Sequence, residues 1–578
     1  MERRTVVYDA ESGDDHERQG TVWTATSHIV AAVVGSGVLA LAWTVAQLGW
    51  VVGPLVLLGF SCVTYYTSAL LADCYRYPDP VDGAVNREYI DAVRCYLGRK
   101  NVLLCGAAQY VNLWGTLVGY TITASASMMY FAAVRMLPPE LGDSGKPLQR
   151  PAVPIGHELI VCECGTHDEQ RTMHRLIECL PCHGVFTRPM SNRTTNSKML
   201  CFLRPTPAVK RVNCFHRSGG LSAASDCNPS GSTYMLVFGL FQLLLSQLPS
   251  LHNIAWLSVV AVATSFGYSF ISLGLCAAKW ASHHGEVRGT LAGAAVDAPK
   301  EKAFNVLLAL GNIAFSYTFA DVLIEIQDTL RSPPAENKTM KRASFYGLGM
   351  TTVFYLLLGC TGYAAFGNDA PGNILTGYAF YEPFWLVDIA NICVIVHLIG
   401  AYQNDGDVRK LMLDQNLMLL SAKMNCVQVF AQPIFARLES CVACRWPDAK
   451  FINATYYVRV PCLRSSTPSS PPATVAVAPL KLVLRTILIM FTTLVAMLLP
   501  FFNAVLGLIG ALGFWPLSVY FPVSMHVARL KIRRGELRWW MLQAMSFVCL
   551  LISVAASIGS VQDIVHNLKA AAPFKTSG

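Results

Sequence analysis

Several polar residues stand where long apolar runs would otherwise continue, and their types suit the handling of a small charged solute. Gly35-Ser36-Gly37 lies between Val33-Val34 and Val38-Leu39. Two glycines around a serine weaken a helix and bare its N–H groups, and a half-helix starting there turns the positive end of its dipole toward a carboxylate. Small residues also let helices pack closely, so the triplet alone fits either role. A second run, from Asn312 through Ser316-Tyr317-Thr318 to Asp321 and Glu325, carries two carboxyls. Each costs about 2.5–3.5 kcal/mol at a bilayer centre on insertion scales, unless it faces an interior or a wet path or snorkels from a span end. Asp388, Asn391 and His397 form a third group, and Gln109, Tyr110, Asn112 and Tyr120 a fourth. Such groups either hydrogen-bond between helices or line a path for solute and protons.

The elements that must position them are membrane helices. Of 578 residues, 53% are hydrophobic and only 14% charged, and mean hydropathy is +0.41. A soluble chain carries roughly 25% charged residues, so a water-soluble multidomain enzyme is excluded. The 19 cysteines are too sparse for a disulfide scaffold and several sit in apolar runs, where cysteine behaves as a small hydrophobe. Segments of about 20 apolar residues satisfy their own backbone in lipid. About eleven qualify, at 27–48, 52–73, 102–130, 234–251, 254–278, 306–326, 345–366, 384–402, 484–502, 505–527 and 537–558. The fold class expected is an all-α polytopic membrane protein.

Residues 1–26 are polar with no apolar core, which reads as a tail kept on the side of synthesis rather than a cleaved leader. Lysine and arginine concentrate in loops 76–100, 331–342 and 529–538, whereas loop 367–381 has neither. The positive-inside rule then places the N-terminus in the cytoplasm and the tail 559–578 outside. The net charge of +9 is thus a topology signal, and no nucleic-acid partner is expected. Polar groups on spans one and six, five positions apart, fit a repeated architecture with a solute path at its centre.

At these motifs the sequence resembles the plant amino acid permeases of the amino acid/auxin permease family. The matching stretches include Gly20-Thr21-Val22-Trp23-Thr24, Gly35-Ser36-Gly37-Val38-Leu39, Ala46-Gln47-Leu48-Gly49-Trp50 and Leu70-Leu71-Ala72-Asp73-Cys74-Tyr75-Arg76. They continue with Leu323-Ile324-Glu325-Ile326-Gln327-Asp328-Thr329, Gly362-Tyr363-Ala364-Ala365-Phe366-Gly367 and Gly513-Phe514-Trp515-Pro516-Leu517. The resemblance implies two inverted five-helix repeats plus one extra helix, in a plasma membrane, and proton-coupled import of neutral and acidic amino acids. It places Gly35, Ser36 and Gly37 in one unwound stretch and Ser316, Tyr317 and Thr318 in the other, holding substrate. Asn112 and Asn391 join them as expected substrate contacts, with Glu325 and Asp388 as candidates for proton coupling. Cys214 and Cys227 resemble a cysteine pair of these permeases, and an oxidising exterior would permit a disulfide.

Two segments interrupt the transmembrane domain of residues 27–558. The first, 130–207, is rich in proline and cysteine and the second, 404–428, lies near the eighth helix. Both read as extra coding sequence. The first contains Cys162-Glu163-Cys164, His167, His174 and Cys179-Leu180-Pro181-Cys182-His183, a spacing that resembles haem-attachment or zinc patterns. The stretch lacks a core to build a cofactor pocket, so no metal or cofactor is expected. Asn192-Arg193-Thr194 forms a glycosylation sequon. With no phosphate-binding Gly-Lys motif, the leading expectation is a secondary transporter carrying amino acids and protons. A membrane amino acid sensor on the same fold, binding without sustained flux, is the alternative, and a polytopic enzyme comes third.

Overall fold

Apolar helices interrupted by glycine, proline and hydroxyl residues dictate an architecture of long, locally broken spans. The computed structural model describes residues 18–135, 160–164, 201–205, 231–247, 255–295, 298–376, 380, 383–403, 431–446, 456–459, 474–477 and 479–571. Helix α1 (Val22–Val33) opens with a capping box in which the Thr21 and Thr24 hydroxyls exchange bonds with each other's backbone N–H. A 3-10 turn (Ser36–Ala40) leads into α2 (Leu41–Ala72). Further on come α3 (Tyr89–Leu97), α4 (Arg99–Arg135), α5 (Gly231–Ser246) and α6 (Ala255–Ser282). The chain continues through α7 (Pro299–Ser316), α8 (Ala320–Asp328), α9 (Glu336–Phe366), α10 (Phe384–Gln403) and α11 (Ala431–Arg445). It ends with α12 (Pro479–Leu498), α13 (Phe502–Gly513), α14 (Phe521–Leu530) and α15 (Leu537–Ala571). Short two-stranded ribbons are the only sheets among the described residues.

Among those residues eight helical stretches are long and apolar enough to cross a membrane, and Val22–Val33, Gly231–Ser246 and Trp385–Ala401 are shorter apolar helices. Gly49 divides the stretch Ser36–Ala72 into the expected first and second spans. Its φ of +84° belongs to glycine, and a Cβ there would lie 2.3 Å from the Leu291 carbonyl oxygen, so the turn between the spans accepts no side chain. The tenth span departs from the unbroken helix expected over 505–527. A π-helical turn (Phe514–Tyr520) separates α13 from α14, because Pro516 has no N–H to give the regular ladder. Helix α15 runs to Ala571, so most of the expected tail 559–578 is helical. The interruption 404–428 lies outside the described residues, as does most of 130–207 (the last turns of α4 and the paired strands 160–164 and 201–205 apart).

Helix α9 packs against both α1 and α2, and α7 is flanked by α2, α13 and α15. The first and sixth spans are therefore central, clad by the others. At the end of the bundle that carries the basic loops, charged groups bolt these elements together. Arg18 reaches Asp328 at 3.1 Å and Glu336 at 3.2 Å, and Arg76 reaches Glu336 at 2.6 Å. Gly20 and Thr329 add a backbone bond, with Gly20 N–H donating at 2.9 Å. Alongside, Asp73 accepts from Lys341 at 2.6 Å, Arg529 at 3.1 Å and Asn337 at 2.9 Å.

Burial pushes the Asp73 carboxyl up, but the Lys341 hydrogen bond and the Arg529 charge outweigh it and hold the group below the ordinary carboxylate range. A depressed carboxyl contributes stability above its ordinary pKa, and that contribution fades only as pH falls through the depressed value. Asp73→Asn is accordingly expected to cost about 1–3 kcal/mol at neutral pH, since Lys341 and Arg529 lose a charged partner. The difference in melting temperature from the parent should shrink under strongly acidic conditions. Thermal unfolding of detergent-solubilised protein checks this, and equal melting temperatures at neutral pH would contradict it.

Candidate functional site

Each central span is broken at the residues whose helix propensity is weakest. In the first, the ladder of α1 ends as Val34 N–H donates to Val30 at 2.8 Å and Gly35 N–H to Val33 at 3.0 Å. Gly35 then adopts extended backbone, φ −123° and ψ −152°, before the 3-10 turn starts at Ser36. In the second, Tyr317 N–H is shared between the Ile313 and Ala314 carbonyls at 3.2 Å, and α8 resumes at Ala320. Hydroxyls assist this break: Ser316 Oγ donates back to Asn312 O at 2.9 Å and Thr318 Oγ1 to Ala314 O at 2.7 Å, a bonding pattern that competes with the helix.

The breaks lie side by side. A Cβ on Gly37 would sit 2.7 Å from Ser316 Oγ and 3.2 Å from the Phe315 ring, so the absence of a side chain is what lets the spans approach. A Cβ on Gly35 would meet nothing within 4 Å, because that residue borders a cavity. Gly35, Ser36, Gly37, Asn112, Ser316 and Thr318 all line it, joined by Thr116, Tyr120 and Asp321 and by the apolar Ala32, Val33, Phe315 and Val322. Third-span residues thus meet both breaks, and of the polar group expected there Asn112 and Tyr120 line the cavity.

Four expected site residues, Tyr317, Asn391, Asp388 and Glu325, lie outside the cavity lining. The Tyr317 hydroxyl donates to Thr352 at 3.1 Å, and its side chain does not line the cavity. Asn391 is fully buried and its amide donates to Val387 of its own helix at 3.0 Å; neither it nor Asp388 is among the cavity residues. Glu325 is exposed, one helical turn beyond the lining. His397 contacts the Ala261 carbonyl at 2.8 Å. Cys214 and Cys227 lie outside the described residues, as does the Cys/His run beyond Cys164. Among the described residues no cluster of His, Cys, Asp and Glu is arranged to hold a metal ion.

The carboxyl that does face the cavity is Asp321. It is buried in the first turn of α8 and accepts from Asn112 Nδ2 at 3.4 Å. Among the described residues no ion pair includes it. The helix N-terminus favours its negative charge, yet a lone carboxylate in a low-dielectric interior needs a proton or a cation to neutralise it. Its signal in the sequence was its distance from the break, three residues past Thr318, which puts it in the first turn of whatever helix restarts there. Ser36 Oγ and Asn112 Oδ1 are buried without a hydrogen-bond partner. Buried polar atoms are rarely left so, and both border the space a ligand would fill.

Two apolar spans broken side by side around a polar cavity, within an all-α polytopic bundle, give the chain an architecture suited to carrying a solute. The chain matches the family described as transmembrane amino acid transporter protein over residues 18–136, 199–404 and 410–566, and it belongs to that family of integral membrane proteins. It is 43% identical over 594 aligned positions to Amino acid permease 6 of Arabidopsis thaliana, covering 100% of both chains. Amino acid permease 1 of the same plant is 43% identical, with 97% of this chain and 92% of that one covered. Lysine histidine transporter-like 6, also from Arabidopsis thaliana, is 25% identical over 96% of this chain and 93% of its own. Among solved structures, MhsT in complex with L-phenylalanine aligns with a TM-score of 0.37 and 11% identity, over 94% of this chain and 99% of that one.

Proposed function

We propose that the chain is a secondary active transporter that carries an amino acid together with a proton into the cell across the plasma membrane, with its N-terminus in the cytoplasm. The observation that carries this reading is the cavity between the two breaks, lined by Gly35, Ser36 and Gly37 where one half-helix restarts and by the Asp321 carboxyl in the first turn of the other. The first N–H groups of the turn at Ser36–Ala40 have no partner within their helix, and with the Ser36 hydroxyl they suit the α-carboxylate of a substrate. The Asp321–Asn112 pair suits the ammonium end.

A zwitterion brings no net charge, so Asp321 still has to be neutralised for the loaded site to close. A proton entering from outside binds an Asp321 carboxylate oxygen, and the same O–H bond breaks when the site opens inward, releasing the proton with the amino acid. Asp321 takes this part in place of Glu325 and Asp388 because it alone of the three borders the cavity. The ion pairs around Arg18 and Asp73 tie the elements of one end together, and breaking them would open that end to complete the cycle.

Uptake of radiolabelled amino acids by cells expressing the chain, at acidic and neutral external pH and with Na⁺ replaced by choline, tests the proposal. Faster uptake at acidic pH and indifference to Na⁺ are expected. Uptake that requires Na⁺ and ignores pH would refute the coupling, and binding without flux would make the chain a sensor.

A further inference from the structure

Breaking a helix inside a membrane leaves carbonyl oxygens without their N–H partners. In transporters built on paired broken spans, such carbonyls commonly ligate the coupling cation. Here they are occupied by the protein itself. The Tyr355 hydroxyl, on the seventh span, donates to the Val33 carbonyl at the end of α1 at 2.7 Å. The same hydroxyl lies 3.3 Å from the Ser316 carbonyl at the end of α7, a shared contact that spans both breaks. Ser265 of the fifth span donates to the next carbonyl, Val34, at 2.5 Å.

Tyr355 is fully buried and its ring stands edge-on to Tyr317 at 5.5 Å. Tyr317 in turn donates to Thr352, one turn away from Tyr355, and Thr352 Oγ1 lies 2.7 Å from Ser61 in α2. The seventh span therefore contacts both breaks and the second span through one line of hydroxyls.

We propose that Tyr355 is a positioning residue that takes the place of a coupling metal cation, its O–H supplying the positive end that both sets of freed carbonyls require, with Ser265 completing the set. The two half-helix ends are held at one point, so the walls of the cavity move as a unit. The oxygens a metal ion would use are already taken. The inference rests on the transport reading above and adds to it a reason for working without Na⁺.

Tyr355→Phe keeps the ring against Tyr317 and removes only the hydroxyl. Uptake in Na⁺-free medium is expected to fall roughly tenfold, the scale of one buried hydrogen bond, with surface expression near that of the parent. Added Na⁺ should recover part of the loss in the variant and leave the parent unchanged, because the freed carbonyls become a cation site. A structural defect alone would not create Na⁺ stimulation. Ser265→Ala, which leaves the aromatic pair intact, should show a smaller loss with the same gain of Na⁺ response, and it serves if the Tyr355 variant does not reach the membrane. Parent-like uptake in Na⁺-free medium, or a loss in both variants that Na⁺ does not relieve, overturns the proposal while leaving the transport reading in place. Failure of the parent itself to transport would instead overturn that reading.

Discussion

Asp321→Asn is expected to abolish accumulation against a gradient while leaving exchange of amino acid for amino acid nearly intact. Asparagine has the same shape and can still accept a hydrogen bond from Asn112, so the cavity should persist. What disappears is the one carboxyl that, among the described residues, lines the cavity and can gain and lose a proton. Proton-driven uptake should drop about 100-fold, the upper range of coupling between two ligands, and its dependence on external pH should vanish. Exchange between equal substrate pools needs no net proton movement and should fall by less. Glu325→Gln, outside the cavity lining, should retain pH dependence. Parallel measurements of gradient-driven uptake and equal-pool exchange separate these cases. PH-dependent accumulation by the Asp321 variant would show that the proton is carried elsewhere.

Two glycines that look equivalent in the sequence should fail in different ways. Gly37→Val places a branched side chain where a Cβ alone would already come within 2.7 Å of Ser316 Oγ. Overpacking of this kind costs about 1–3 kcal/mol, so folding yield and surface expression should fall together with transport. Gly35 has extended backbone at φ −123°, which a β-branched residue adopts readily, and open space beside it. Gly35→Val should therefore reach the membrane normally and lose substrate affinity, because its methyl groups fill the cavity; roughly a tenfold or larger rise in KM is expected, the equivalent of about 1.4 kcal/mol. Surface expression and KM measured together check the pair. A Gly37 variant with normal expression, or a Gly35 variant with unchanged KM, would contradict the packing described here.

The contrast between those glycines shows what the sequence could and could not reveal. Hydropathy located the spans, because lipid forces every backbone group to be satisfied within its own helix; Gly35-Ser36-Gly37 marked the first break through low helix propensity, whereas Ser316-Tyr317-Thr318 was expected as the second only from the family resemblance. Which residues face one another across the breaks depends on helix rotation, and that is set by packing among spans far apart in the chain. Asn112 was legible as a polar residue on an apolar helix, but its partner was not, since nothing in either segment encodes a contact 209 positions away. Asn391 has the same composition signal as Asn112 and is instead turned onto its own helix. Pro516 sat in a recognised motif without announcing the π-helical turn, because proline inside a membrane helix is accommodated in several ways. Tyr355 gave no signal, being one aromatic among many in the seventh span, and its importance lies wholly in which carbonyls its hydroxyl reaches.

The most direct test of the account is to watch the two solutes cross together. Purified protein reconstituted into Na⁺-free proteoliposomes, with a pH-sensitive dye trapped inside, reports proton entry when a neutral amino acid is added outside. The account predicts that the amino acid acidifies the lumen as labelled substrate enters, that the Asp321→Asn variant gives no acidification, and that a protonophore collapses accumulation. Amino acid entry with no acidification, in protein that transports well without a proton gradient, would contradict it.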